Sequence, residues 1–367
     1  MGFATKRDAV AAMSALQAEL GDGTYVEPSK LTVGEYLQGW LKLAKLRLRP
    51  GSYDACAIHV TRYIVPRIGG LRLQALSARG VKQFYAELAT SGRIRGGGGL
   101  SEKSIHNVHT TLSRALRDAV SDRLLARNPA AGAHQQPESP EQDTWKADEL
   151  AEFLAFVEGD RLFAMWRLLA LTGMRRGEIC GLRRRDLDLD HARLFVVQQR
   201  AKGGGTVHTG KTKGRRGRPV ALDALTVEAL RAHLKAQAVE RERLGPGYTD
   251  EGLVFCHEDG KPLHPDSVTK RFARLVRDSG LPTITAHGLR HTHATLLLQA
   301  GIHPKVVQER LGHSTISVTY DTYTHSVPAL QDDAAERAAQ LLDPDKSSEE
   351  EHDTQEEERQ KHEGEDR

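Results

Sequence analysis

Cysteine is scarce in this 367-residue chain, and Cys56, Cys180 and Cys256 stand far apart with no CxxC pair. That spacing excludes a disulfide framework and a cysteine-based structural zinc, and it fits a reducing compartment. No window approaches eighteen consecutive apolar residues, so no transmembrane helix and no membrane partner are expected. The opening MGFATKRDAV lacks the apolar core that a secretory signal needs. These absences point to a cytoplasmic protein. With 39% hydrophobic and 28% charged residues, the composition is that of a globular chain. The length is too great for one ordinary domain and suits two.

A formal charge of +3 conceals an asymmetry. From Asp343 onward there are twelve acidic and four basic residues, a net of −8, which leaves +11 for the rest. A body this basic suits a polyanionic partner, nucleic acid above all. A basic protein with no nucleic-acid role would carry the same charge, so charge alone leaves both open.

Residues 1–30 read as an N-terminal helix, with Ala9, Ala12, Met13, Leu16 and Leu20 on one side and GDG at its end. Thr32 can cap the next helix, VGEYLQGWLKLAKLRL, which stops before Pro50. Helices over about 52–63, 77–88 and 101–121 complete a helical domain at 31–130. Inside it, RIRGGGGLS reads as a flexible loop. A Pro-, Gln- and Ala-rich linker at 131–145 leads to a second domain at 146–342. That domain starts with helices over about 146–157, 160–171 and 176–182. The β-type runs LDHARLFVVQQ, GRPVAL and GLVFC follow, and then helices return. The fold class is mainly α with a small antiparallel β-sheet. The tail at 343–367 has no core-forming residues and should be disordered. No internal repeat is visible.

Five pieces of the second domain stand out: TGMRRGEICGL (172–182), GKTKGRRGRPVAL (210–222), HGLRHTHATLLLQAG (287–301), LGHSTIS (311–317) and YDTYTH (320–325). Each alone is weak, since a lone arginine, a His–Arg pair three apart or a tyrosine at a helix edge is usually structural. Their joint order, Arg…Lys…His-x-x-Arg…His…Tyr, pools two guanidiniums, an ammonium, two imidazoles and a phenol with no acidic cluster. That inventory suits phosphodiester chemistry without metal. Arginine forks match non-bridging phosphate oxygens, and losing one preorganised donor typically costs about 3–4 kcal/mol of transition-state stabilisation. A phenol with an ordinary pKa of about 10 needs a base or a positive field to attack. An imidazole can take its proton, and a lysine can protonate a departing 5′-oxygen.

On these motifs the chain resembles the tyrosine recombinases of the phage-integrase family, over nearly all of residues 3–340. By that resemblance Arg175 in TGMRRGE is the first arginine, with Glu178 the acidic residue one turn on. Lys211 is the hairpin lysine, with Lys213 as a substitute, and His287 and Arg290 form the HxxR box. His313 in LGH takes the second-histidine position. Tyr323 matches the nucleophile, in a frame with Thr319 and His325, while Tyr320 sits one helical turn earlier where the family often has an apolar residue. The resemblance implies a core-binding domain at 31–130 and a catalytic domain of the DNA-breaking–rejoining fold at 146–342. It also implies a 3′-phosphotyrosine intermediate, double-stranded attachment-site DNA, and a homotetramer acting through a Holliday junction in a bacterial cytoplasm. An excision factor or a host DNA-bending protein fits the same scheme. No cofactor or metal is implied. Many relatives carry a β-rich arm-binding domain before a helix like FATKRDAVAAMSAL; the expectation here is that this domain is missing or lies upstream.

Other readings meet obstacles. GTVHTGKT satisfies the Walker A pattern, but KGRRGRPVAL after it is not the helix a P-loop requires. His287, His291 and His293 lack the HExxH glutamate and a nearby cysteine, so a metal is not expected. A DNA-binding protein without chemistry would not need the six site residues together. A type IB topoisomerase shares the chemistry and differs in overall layout.

Overall fold

The computed structural model describes residues 25–137, 143–211 and 217–312, with Thr5, Lys6, Arg7 and scattered positions from 10 to 21; Lys211 is described by its backbone alone. His313, Tyr320, Tyr323, Lys213 and the tail at 343–367 lie outside the described residues. Within the expected N-terminal helix, Lys6, Arg7, Val10, Met13, Ser14, Gln17 and Gly21 are helical. The chain divides into two compact units, Met1–Pro140 with Lys202–His208, and Glu141–Ala201 with Thr209–Arg367. Among the described residues no helix is long and apolar enough to cross a membrane.

The first unit is helical. Helix α1 (Val33–Arg47) starts at a capping box in which the Thr32 hydroxyl accepts from the Glu35 N–H and the Glu35 carboxylate accepts from the Thr32 N–H. Helix α2 (Pro50–Ile58) begins at Pro50, two residues before the expected start, because proline at the first helical position gives up only an N–H that would be orphaned anyway. The coil then widens into a π segment, His59–Ile64, and continues as α3 (Val65–Ile68). There the Val65 N–H bonds five residues back, to Val60 O, just before Pro66, which has no N–H to give. Helices α4 (Ala78–Ser91) and α5 (Glu102–Ser121) are capped by the Ser77 and Ser101 hydroxyls. Between them Gly96, Gly97 and Gly98 take positive φ in the expected loop. Leu37, Ile64, Phe84, Leu112 and Leu116 fill the core.

Helices α6 (Ala147–Phe156), α7 (Phe163–Thr172) and α8 (Arg176–Cys180) open the second unit, and among the described residues five strands follow in the chain. Strands β1 (Leu187–Asp188), β2 (Arg193–Val196) and β5 (Arg218–Ala221) make one antiparallel sheet in the order β1-β2-β5. Its register pairs Leu194 with Val220 and Val196 with Arg218. Strands β3 (Gln198–Gly203) and β4 (Thr206–Lys211) pair separately, around Gly204 and Gly205, whose φ values of +59° and +78° a two-residue hairpin turn requires. Helices α9 (Ala224–Leu244), α10 (Pro265–Ser279), α11 (Ala286–Gln299) and α12 (Pro304–Leu311) complete the described fold.

The class is therefore the expected one, mainly α, although among the described residues the β structure is two small sheets and not one. The run GLVFC is not a strand. Leu253 to Cys256 are all buried, and isolated bridges to Arg183 and Pro262 replace a ladder; a short apolar run that is buried all round carries no periodicity to reveal its conformation. Trp145, Phe153, Trp166 and Phe272 form the aromatic centre of this unit, with Trp145 and Phe153 ring centroids 5.0 Å apart. The Trp145 N–H donates to Thr292 Oγ1 at 3.0 Å, which ties the start of the unit to α11.

Candidate active site

Two glycines build the site. Helix α7 ends at Gly173 in the left-handed region (φ +61°), and α12 ends at Gly312 (φ +68°). A Cβ on Gly173 would lie 2.5 Å from Leu311 Cδ2, so the two helix ends touch. Ala294, Leu298, Val307 and Leu311 form a small apolar cluster that docks α12 on α11.

The last carbonyls of a helix have no partner within it and form its negative pole. At the end of α12, three successive carbonyls each accept from a different arginine. Arg218 Nε donates to Arg310 O (3.0 Å), Arg290 Nη2 to Leu311 O (2.9 Å) and Arg175 Nη2 to Gly312 O (3.3 Å). Arg290 also donates through Nη1 to Gly173 O at 2.7 Å and is only 2% exposed, whereas the Arg175 side chain is 34% exposed. The two arginines expected from the sequence are thus brought together, at the carbonyls immediately before His313.

Glu178 is the hub beneath them. It is 1% exposed, and its Oε1 accepts from Arg175 Nη1 and Arg218 Nη1, both at 3.0 Å. Its Oε2 accepts from the Arg175 backbone N–H at 2.9 Å and from Arg218 Nη2 at 2.8 Å. Burial pushes its pKa up, but the hydrogen bonds and charge of Arg218, then those of Arg175, outweigh it and hold the carboxyl below its usual 4.5.

His287 lies in the first turn of α11, behind the Thr285 cap and three residues before Arg290. It keeps an exposed edge, yet burial of the ring first, then the charges of Arg290 and Arg175, hold its pKa below 6.5. A neutral imidazole there can accept a proton. His291 stands edge-on to it, ring centroids 4.7 Å apart, and burial, with His287 and Arg290, lowers its pKa to about 4. His293 is buried elsewhere: its Nε2 accepts from Arg310 Nε at 3.1 Å, and its pKa falls to about 3, through burial first and then Arg310. That engagement removes His293 from any shared ligand set with His287.

Thr206–Lys211 form strand β4 of a hairpin where a P-loop needs an open loop around the phosphates, which argues against the P-loop reading. Two residues were not singled out from the sequence. Arg310 donates to Leu171 O and Ala221 O as well as to His293, binding α12 to α7 and β5. Arg218 was hidden in the run GRRGRPVAL, although period-two alternation with buried Val220 puts it on the inward face of β5.

The family model described as "Phage integrase family" matches residues 144–329. The chain belongs to the phage integrase family. It is a site-specific tyrosine recombinase, an enzyme that binds DNA target sites, cleaves the DNA and exchanges strands. A tyrosine recombinase XerC-like protein of Caldanaerobacter subterraneus subsp. tengcongensis is 27% identical over 361 residues, covering 92% of this chain and 90% of the relative. The ICEBs1 integrase of Bacillus subtilis is 25% identical, covering 92% and 91%. Among solved structures, the Tn1549 transposon integrase bound to a circular intermediate DNA superposes with a TM-score of 0.68 at 22% identity, over 83% of this recombinase and 99% of that chain. The last likeness is one of fold.

Proposed function

We propose that this recombinase breaks DNA by attack of the Tyr323 hydroxyl on a phosphodiester, forming a 3′-phosphotyrosine bond and releasing a 5′-hydroxyl. Arg175 and Arg290 hold the non-bridging oxygens, helped by His313. His287, held neutral, takes the phenol proton, and Lys211 protonates the departing 5′-oxygen. The covalent bond conserves the energy of the one broken, so a 5′-hydroxyl from a second strand reverses the step without ATP. Residues 31–130 serve as the core-binding domain and 146–342 as the catalytic domain, behind the helix at 1–30. Four protomers act on two attachment sites, in the cytoplasm, to integrate or excise a mobile element. Relatives named for ICEBs1 and for the Tn1549 transposon support that last assignment. The observation that carries the reading is the convergence of Arg175 and Arg290 on the carbonyls of residues 312 and 311, next to His313.

The test is covalent capture. Sheared DNA from the genome encoding the chain is incubated with the protein in EDTA, and SDS-resistant protein–DNA adducts are precipitated and sequenced. The enriched fragment, nicked to trap the intermediate, is then given to wild type, Tyr323→Phe and Tyr320→Phe. An adduct lost only with Tyr323→Phe supports the reading. Loss only with Tyr320→Phe moves the nucleophile one helical turn, and absence of any wild-type adduct overturns the chemistry. Recovery of fragments with no common sequence would favour a topoisomerase-like strand transferase.

A further inference from the structure

We propose that Arg218 is a positioning residue that keeps Arg175 cationic toward DNA by taking up the charge of Glu178. This rests on the reading that Arg175 holds the scissile phosphate. A carboxylate offers about four acceptor directions, and at Glu178 all four are filled, two by Arg175 and two by Arg218. Two guanidiniums around one carboxylate leave a net charge of +1. Arg218 is the more enclosed partner, with a side chain 15% exposed against 34% for Arg175. The surplus positive charge therefore faces outward through Arg175.

Without Arg218 the Arg175–Glu178 pair carries no net charge. Glu178 remains buried with two vacant acceptor positions, and a buried carboxylate stripped of one partner recruits whatever donor it can reach. Arg175 is already bonded to it and is partly exposed, so it can be drawn inward, off the phosphate. Arg218 also holds Arg310 O through Nε, and Gly312 leaves it room: a Cβ there would come within 3.0 Å of Arg218 Nη1. The one side chain thus fixes both the charge behind Arg175 and the turn that leads to His313. Lysine could supply the charge but not the two-pronged fit.

A purely structural role and a charge-sharing role part company when Glu178 is also neutralised. Arg218→Ala should slow adduct formation on the captured, nicked fragment about 30- to 100-fold, less than the roughly 10²- to 10³-fold lost with a donor that itself touches the reacting group. Arg218→Ala with Glu178→Gln restores the net +1 and should recover at least about tenfold of that rate. Arg218→Lys should fall between. Acid should mimic the double variant. Without Arg218, burial raises the Glu178 pKa, so lowering the pH protonates it and narrows the gap to wild type, whose Glu178 stays ionised. The same series in a Tyr323→Phe background is titrated with the fragment by fluorescence anisotropy, and melting curves follow folding. Tighter binding by the double variant than by Arg218→Ala supports the proposal even if no adduct forms, an outcome that would overturn only the reading of the chemistry. A double variant no better than Arg218→Ala in rate and binding, or an Arg218→Ala protein within twofold of wild type, overturns the proposal.

Discussion

Replacing Gly173 by alanine tests the contact on which the candidate site is built. Two costs add. An L-residue in the left-handed region loses about 1–2 kcal/mol. The new methyl would start 2.5 Å from Leu311 Cδ2 and 3.1 Å from His293 Cδ2, neither of which can move far in a buried seam, and such overpacking costs about 1–3 kcal/mol. The sum is about 2–5 kcal/mol, a large part of the stability of an ordinary domain. Gly301 is the internal control, because it too has positive φ (+74°) but nothing within 4 Å of its Cβ position. Gly301→Ala should therefore show the backbone cost alone. In a unit of this size each kcal/mol lowers the melting temperature by about 2–4 °C, so the two variants should melt several degrees apart. Urea titrations with equal m-values would confirm that the difference lies in the native state. The Gly173 variant should also lose cleavage beyond its loss of fold, since displacing Leu311 moves a carbonyl that Arg290 holds. Equal destabilisation of the two variants, within about 0.5 kcal/mol, would refute the reasoning.

Two further outcomes follow from geometry. His287, His291 and His293 all have folded pKa values below the usual 6.5, those of His291 and His293 at about 4 and about 3. The unfolded chain then takes up protons first as pH falls, so their contribution is complete above about pH 6.5 and is lost progressively toward pH 4 and below; a melting temperature flat from pH 7 to 5 would contradict this, and His291→Asn should flatten the curve. In the first unit, Thr32→Ala removes the acceptor of the Glu35 N–H and should cost about 1 kcal/mol, seen as faster hydrogen exchange at that amide with the later turns of α1 unchanged.

What the sequence revealed was whatever depends on local chemistry. Thr32 puts its side-chain oxygen on an N–H at a helix start, an effect contained within four residues, and the helices expected to begin at 77 and 101 start at Ser77 and Ser101 caps of the same kind, whereas the Thr285 cap was not singled out. Arg175, His287 and Arg290 were singled out by the order of their motifs along the chain and the family resemblance that order carries, since each motif alone is weak. What stayed hidden depends on partners far away in sequence. Arg218 looked like one more cation in a basic run, and its role appears only when β5 brings it to Glu178, forty residues earlier in the chain. The partner of His293 was equally hidden, since Arg310 reaches it only from α12. The π turn before Pro66 and the bridged, unladdered GLVFC segment arise from packing that no periodicity encodes.

The three arginines at the end of α12 reach it from 137, 92 and 21 residues away in the chain. Contacts that close such long loops form late, because the entropy of closure must be overcome before they contribute. Assembly of this arginine cluster is thus coupled to the completion of folding. A nascent or nicked chain lacking the end of α12 lacks the three carbonyls on which Arg175, Arg218 and Arg290 converge, so an incompletely folded molecule is without this cluster. For an enzyme whose chemistry cleaves DNA, this makes native topology itself the safety catch.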